Sequence, residues 1–360
     1  MKIAVLGGGN GSYAAAADLS EQGHEVRLWR RDGAALEAAR AAGSILLKDV
    51  RGSRDVPIAF ITSDIGAAVR GAHLLLLPGP AHSQADIASL LAPHLSDGQV
   101  AFLPPGTFGS VVMARLAHCA GSRADVAFAE TGTLPYLTRK HGPRETAITM
   151  RAKRLPTGVF PSRRGGRAFA LLRQAYPAVE PIEDALSGAL MNAGPIIHPP
   201  LILMNAGPLE HFDRWDIHKE GTQPAIRRIH DALDGERVAL REALGYKPYH
   251  FPLRDHYTTD QWMYGDAHDR LTESGDWREK IDLMTHRYMR EDVVYGLAFL
   301  VSVARWAGVA APVAQGLLSI ASGVIGEDIG RTSPRTFEAL GMAGWSRERM
   351  RGLLEGGWDA

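Results

Sequence analysis

Two groups of residues have the types and spacing that chemistry requires. The first is Gly7-Gly8-Gly9-Asn10-Gly11-Ser12, which follows the apolar run Lys2–Leu6 and precedes an alanine-rich helical pattern that Gly23 ends. In such a turn Gly7 permits a sharp reversal and Gly9 lets the backbone approach a pyrophosphate. The charge of that group is met by the free amides and positive dipole end of the new helix. Ser12 stands at the third position of the G-x-G-x-x-G/A pattern, a departure that still leaves a small residue for close helix–strand packing. The second group surrounds His198, in the proline-rich interruption Asn192-Ala193-Gly194-Pro195-Ile196-Ile197-His198-Pro199-Pro200 of an apolar helical stretch from Leu186 to Leu209. No Lys or Arg occurs from Pro181 to Glu210. His198 is therefore the side chain in that window able to deliver the proton that hydride transfer to a carbonyl or imine requires. The competing reading is a buried histidine with a satisfied hydrogen bond.

The surrounding pattern predicts the elements that hold these groups. After the turn, Glu25–Trp29 returns as a strand. His73–Leu77, Gln99–Leu103 and Asp125–Ala129 then recur as short, mostly apolar runs between helical patterns, as strands of a parallel sheet buried on both faces do. They end in Pro78-Gly79-Pro80, Pro104-Pro105-Gly106 and Glu130-Thr131-Gly132. Ligands lie beyond the carboxyl ends of such strands, so these loops, and Pro78 in particular, are expected to frame a cofactor; Pro104 and Pro105 read as strand terminators. From about Pro181 strand signals stop. Ile226, Ile229, Leu233, Leu240 and Leu244 mark the core face of a helix from Pro224 to Gly245, a further pattern runs from Asp292 to Trp306 and stops at Gly308, and Pro312 opens another. Tyr246 to Trp277, rich in aromatics and charges, reads as a packed connection or a lid. The expected fold is α/β: a Rossmann-type doubly wound parallel sheet over residues 1–180 and an all-helical substrate domain over 181–360, with substrate between them.

The 40 basic and 40 acidic side chains cancel, which recommends neither nucleic acid nor an anionic membrane as partner. Cys119 is the single cysteine, so no intramolecular disulfide or cysteine-based zinc site is expected, and a reducing compartment fits. The first strand begins at once, leaving no room for a signal peptide, and Val293–Ala304 is too short to span a bilayer. A cytoplasmic location is expected. At the end of the second strand stand Arg30 and Arg31, where two guanidiniums would suit a ribose 2′-phosphate; NADP(H) is favoured, with Asp32 keeping NAD(H) open. The cluster His211, Asp213, Asp216 and His218 reads as a polar exposed loop, and no metal site is expected.

Taken together, Gly7–Gly11, Glu130-Thr131-Gly132-Thr133-Leu134-Pro135-Tyr136, Asn192–Pro199, Glu220-Gly221-Thr222, Asp234-Gly235-Glu236-Arg237 and Arg287-Tyr288-Met289-Arg290-Glu291-Asp292-Val293-Val294-Tyr295-Gly296-Leu297 resemble the opine dehydrogenase family in order and spacing over nearly the whole chain. The resemblance implies a Rossmann domain followed by an all-α domain of the 6-phosphogluconate dehydrogenase type. It also implies reductive condensation of an amino acid or amine with a 2-oxo acid. His198 would then be the acid/base, paired with Asp292, and Arg287 would hold the 2-oxo acid carboxylate. Thr131 and Thr133 would lie at the nicotinamide or the amine substrate, and Asn192 at the substrates. Without the resemblance, Asp292 reads as an acidic residue at a helix N-terminus. Ketopantoate-type and glycerol-3-phosphate-type reductases are rival readings, weakened by the missing lysine between 181 and 210; a non-catalytic nucleotide sensor is a third. Oligomeric state, a homodimer included, stays open.

Overall fold

The computed structural model describes residues 1–265, 268–273, 278 and 280–358. The chain divides into two units, one formed by Met1–Ala189 with Arg351–Ala360 and the other by Leu190–Met350.

The first unit is built on an eight-stranded sheet. Its strands are β1 (Lys2–Leu6), β2 (Glu25–Trp29), β5 (Phe60–Thr62), β6 (Leu74–Leu76), β7 (Val100–Leu103), β8 (Ala127–Thr131), β11 (Leu155–Phe160) and β12 (Val179–Pro181), in the order β12-β11-β8-β7-β6-β1-β2-β5. Every pairing is parallel except β11 with β8. The apolar runs serve both faces by strict alternation: Ile3, Val5, Leu74, Leu76, Val100 and Phe102 enter one core, while Ala4, Leu6, Leu75, Leu77, Ala101 and Leu103 enter the other.

A second, four-stranded sheet was not expected from the sequence. It consists of β3 (Ser44–Asp49), β4 (Gly52–Pro57), β9 (Tyr136–Lys140) and β10 (Glu145–Arg151), ordered β4-β3-β10-β9. Its strands carry many polar residues and bury only alternate positions, Thr146, Ile148 and Met150 in β10, so no continuous apolar run announces them. Polar ties fasten it to the helix Asn10–Glu21. Asp18 accepts from Tyr136 Oη at 3.1 Å and from Arg151 Nε at 2.6 Å, and Asn10 Oδ1 accepts from the Lys140 amide at 2.9 Å. Trp358 also belongs to this unit, donating its indole N–H to the Val111 carbonyl at 3.2 Å.

The second unit is helical. The apolar stretch after Leu186 breaks into Ala185–Ala189, Gly194–Met204 and Ala206–His211, the first of them in the sheet unit. Pro224–Ala243 forms one helix, ending just before Gly245 at φ +83°. The helix expected from Asp292 begins earlier. Tyr288–Leu297 is wound as a π-helix and continues without a break as the α-helix Ala298–Ala307, closed by left-handed Gly308. Asp292 thus lies inside a helix and not at its N-terminus. The helix Pro224–Ala243 does more than present an apolar stripe, because Asp234 and Arg237 are buried too. Asp234 accepts from the Leu253 amide at 2.7 Å, and Arg237 donates to the carbonyls of His250 and Phe251 at 2.8 and 3.2 Å. Phe251, Leu253, Trp262 and Tyr264 are buried as well, so the described part of 246–277 is a packed connection; Trp277 lies outside the described residues.

Candidate active site

In the helical unit His198 and Asp292 meet, 94 residues apart in sequence, with His198 Nδ1 and Asp292 Oδ2 at 2.7 Å. Their side chains are 14% and 6% exposed. Two glycines make the meeting possible. A Cβ on Gly194 would lie 2.1 Å from Asp292 Oδ1, and one on Gly296 would lie 2.2 Å from Pro195 Cγ. Each helix therefore offers a glycine where the other comes closest, and the Gly194–Met204 helix packs directly on the π-helix. Asn192 Oδ1 accepts the Gly194 amide at 3.0 Å, which secures the start of the helix bearing His198.

Tyr288 stacks on the His198 ring with centroids 3.8 Å apart and planes 17° from parallel. Tyr288 and Asp292, four residues apart on the π-helix, thus restrain the same imidazole from its face and its edge; non-α winding of this sort recurs at functional sites. Burial pushes the Asp292 carboxyl up to about 7, against the opposing pull of Arg287 and His286. Arg287 is exposed at the start of the π-helix, whereas Arg290 is committed to the Met284 carbonyl and Glu327. His230 donates from Nε2 to the Ile197 carbonyl at 3.0 Å, on the residue just before His198. Burial brings His230 down to about 4. Tyr288, His286 and His230 were not identified as site residues from the sequence. Only aromatic or basic side chains adjoining Arg287 would have hinted at the first two.

The sheet unit assembles the expected nucleotide residues. Gly7 takes φ +142° and donates to the Trp29 carbonyl at 2.8 Å. Gly9 caps the helix, and a Cβ there would meet no protein atom within 4 Å. Gly11 is needed for packing, since its Cβ would lie 2.6 Å from Leu134 Cδ1 and 3.1 Å from Pro78 Cβ. Ser12 is 1% exposed and its hydroxyl has no hydrogen-bond partner, pointing instead at the Gly7 turn. A left-handed glycine, an open helix N-terminus and an orphaned hydroxyl at one turn fit a dinucleotide phosphate. Arg30 folds across the turn, its Cδ 2.3 Å from where a Gly8 Cβ would stand. Arg31 turns outward to Asp86 at 3.6 Å, and Asp32 accepts from the amides of Ala34 and Ala35.

The loop after β7 is held in an unusual shape. Thr107 and Phe108 have φ of +54° and +62°, a conformation that non-glycine residues adopt at a cost. Fully buried Glu130 clamps it, accepting from the Phe108 amide at 2.7 Å, the Ser110 amide at 3.3 Å and the Ser110 hydroxyl. Gln84 donates to the Gly106 carbonyl at 2.8 Å from another side. Thr131 is also fully buried and donates its hydroxyl to the Pro156 carbonyl at 2.7 Å, tying β8 to β11; Thr133 is buried just beyond the strand. Asp216 Oδ1 accepts from the amides of His218 and Lys219, forming a turn, and the described residues include no group of three or more potential metal ligands.

Residues 181–325 match the family model described as NAD/NADP octopine/nopaline dehydrogenase, alpha-helical domain. An opine dehydrogenase of Arthrobacter sp. (strain 1C) is 27% identical over 361 residues, covering 98% of each chain. Among solved structures, octopine dehydrogenase with NADH and L-arginine matches with a TM-score of 0.72, and with NADH and pyruvate 0.70, at 20% identity in both cases. Yersinopine dehydrogenase bound to NADP+ matches with a TM-score of 0.64 at 17% identity. In each of these, 99% of this chain and 98% of the other is covered, so the fold is shared throughout. Residues 181–325 thus match the alpha-helical domain of the octopine/nopaline dehydrogenases, and the chain as a whole is similar to opine dehydrogenases in sequence and in fold.

Proposed function

We propose that this protein condenses an amino acid or amine with a 2-oxo acid and reduces the resulting imine to an opine, a secondary amine bearing both carboxylates. The observation that carries the reading is the His198–Asp292 pair, 2.7 Å apart, within the segment matched by the family model. Octopine dehydrogenase, similar in fold, is solved with L-arginine and with pyruvate, one molecule of each substrate class.

In this reading the amine attacks the keto carbon and a C–N bond forms. Loss of the hydroxyl as water requires a proton, which His198 delivers from Nε2, Nδ1 being held by Asp292. The bound reduced nicotinamide supplies the hydride that completes the secondary amine. Asp292 fixes the imidazole tautomer and favours its protonated form. Arg287 takes the 2-oxo acid carboxylate in a two-pronged hydrogen bond. Asn192 and Thr131 act by positioning the His198 helix and β8, and Thr133 lies at the substrates. Gly7, Gly9, Asn10, Gly11, Ser12 and Pro78 shape the nucleotide turn. NADP(H) is the preferred cofactor, because Arg30 faces the turn while the Asp32 carboxylate is engaged by two amides. A lone exposed Cys119 accords with cytoplasmic residence.

The test is oxidation of NADPH and of NADH across a grid of 2-oxo acids and amines, with mass detection of the product. A secondary amine formed only when both substrates are present is the expected result. Reduction of a 2-oxo acid alone to its hydroxy acid would overturn the reading.

A further inference from the structure

We propose that Lys140, at the end of β9 in the smaller sheet, determines cofactor specificity by joining Arg30 on the ribose 2′-phosphate of NADP(H). The inference rests on the reading of this site as an NADP(H) site. It adds a residue from a part of the chain that the strand–turn–helix motif does not contain.

The Lys140 amide donates to Asn10 Oδ1 at 2.9 Å, which fixes the end of β9 at the first residue of the helix. Its ammonium lies 4.1 Å from the centroid of the Tyr13 ring, one helical turn further on. Arg30 reaches the same place from the end of β2, lying over Gly8, and its charge acts on the Tyr13 phenol. Lys140 and Arg30 repel each other, and burial together with that repulsion holds the ammonium below its usual range. Among the described residues Lys140 has no carboxylate partner. The acid beside Arg30, Asp32, stands 4.0 Å away and already accepts from two amides.

Two cations held together with so little compensation form a site for an anion. The fork of Arg30 and the point charge of Lys140 suit phosphate oxygens, and the end of the second strand is where an adenosine ribose lies in this fold. The pyrophosphate offers the same chemistry from a neighbouring position. The experiment must therefore separate the two.

Binding of NADPH, NADH, adenosine 2′,5′-bisphosphate and ADP is measured by titration calorimetry with wild type, Lys140→Met and Lys140→Arg. Wild type is expected to prefer the 2′-phosphorylated member of each pair. Lys140→Met should weaken NADPH and the 2′,5′-bisphosphate by about tenfold or more, and NADH and ADP by less than about twofold. Lys140→Arg should restore most of the preference. Equal losses for NADPH and NADH would place Lys140 on the pyrophosphate and overturn the proposal. So would a wild-type preference that survives intact in Lys140→Met. Wild type binding ADP as tightly as the 2′,5′-bisphosphate overturns the NADP(H) reading itself. Retained ADP binding by Lys140→Met shows that the variant is folded.

Discussion

A histidine becomes a useful acid when its second nitrogen is held, and His198 is held twice, by Asp292 at its edge and by Tyr288 on its face. His198→Asn should lower kcat by about 10²-fold or more while cofactor affinity stays within about twofold, since in the proposed reaction the imidazole moves a proton and the residues assigned to the nucleotide belong to the sheet unit. Stopped-flow reduction together with a binding titration checks this; wild-type turnover at saturation would remove His198 from the chemistry. Asp292→Asn should differ in kind. Removing the negative charge makes the imidazole release its proton more readily, so the alkaline limb of the condensation rate moves to lower pH and kcat falls. The reverse, oxidative direction needs a base and should suffer less at low pH than the forward direction does at high pH. Arg287→Lys keeps the charge but loses the fork; KM for the 2-oxo acid should rise roughly tenfold with a smaller change for the amine. His198 could be singled out because no Lys or Arg shares its segment. Asp292 was reached only through the family resemblance, since a partner 94 positions away is chosen by packing, and its own neighbours spell an ordinary acidic helix start. Tyr288 and Glu130 were hidden for the same reason, their partners lying on other elements.

Between elements, the decisive feature is how closely the Gly194–Met204 helix approaches the π-helix. Gly194 and Gly296 stand where a methyl group would strike Asp292 and Pro195. Gly194→Ala must displace the carboxylate that orients His198. It should destabilise the protein by about 1–3 kcal/mol, as overpacking does, and lower kcat with it. Gly207→Ala is the control: a Cβ there meets nothing within 4 Å in the exposed helix Ala206–His211. It should leave both quantities unchanged or raise stability slightly. Thermal unfolding and kcat measured on the two variants separate a site effect from a general intolerance of alanine. At this scale the sequence was legible wherever one rule acts alone: apolar runs gave the two-faced strands, and glycine with proline marked the helix ends. It was illegible where polar ties do the organising. The smaller sheet is fastened through Asp18, Tyr136 and Arg151, and the connection after Gly245 through Asp234 and Arg237; such residues look like surface until their partners are known.

For the molecule as a whole, buried histidines make stability depend on pH, and the sign differs among groups. Burial lowers His230 to about 4 and His256 to about 3. The unfolded chain takes up these protons near the ordinary histidine value, the folded chain far lower, so the stability is complete above about pH 6.5 and is lost as pH falls. Between pH 7 and pH 5 each contributes a loss of about 2 kcal/mol. Asp292 acts in the opposite sense. Raised to about 7, it binds a proton in the folded state before the unfolded state does, which favours folding as pH falls from 7 towards the ordinary carboxylate range. The net slope therefore mixes opposing contributions, and the informative quantity is a difference between variants. His256 is packed among aromatic rings, with Trp262 at 4.7 Å and Tyr257 at 5.1 Å, and its Nδ1 has no hydrogen-bond partner. Phenylalanine fills that space without a titrating group. Relative to wild type, His256→Phe should gain about 2 kcal/mol between pH 7 and pH 5, read from urea unfolding of both proteins at the two pH values. A difference that does not change with pH would mean that His256 is protonated in the folded protein, and that its burial among these rings carries no cost in acid.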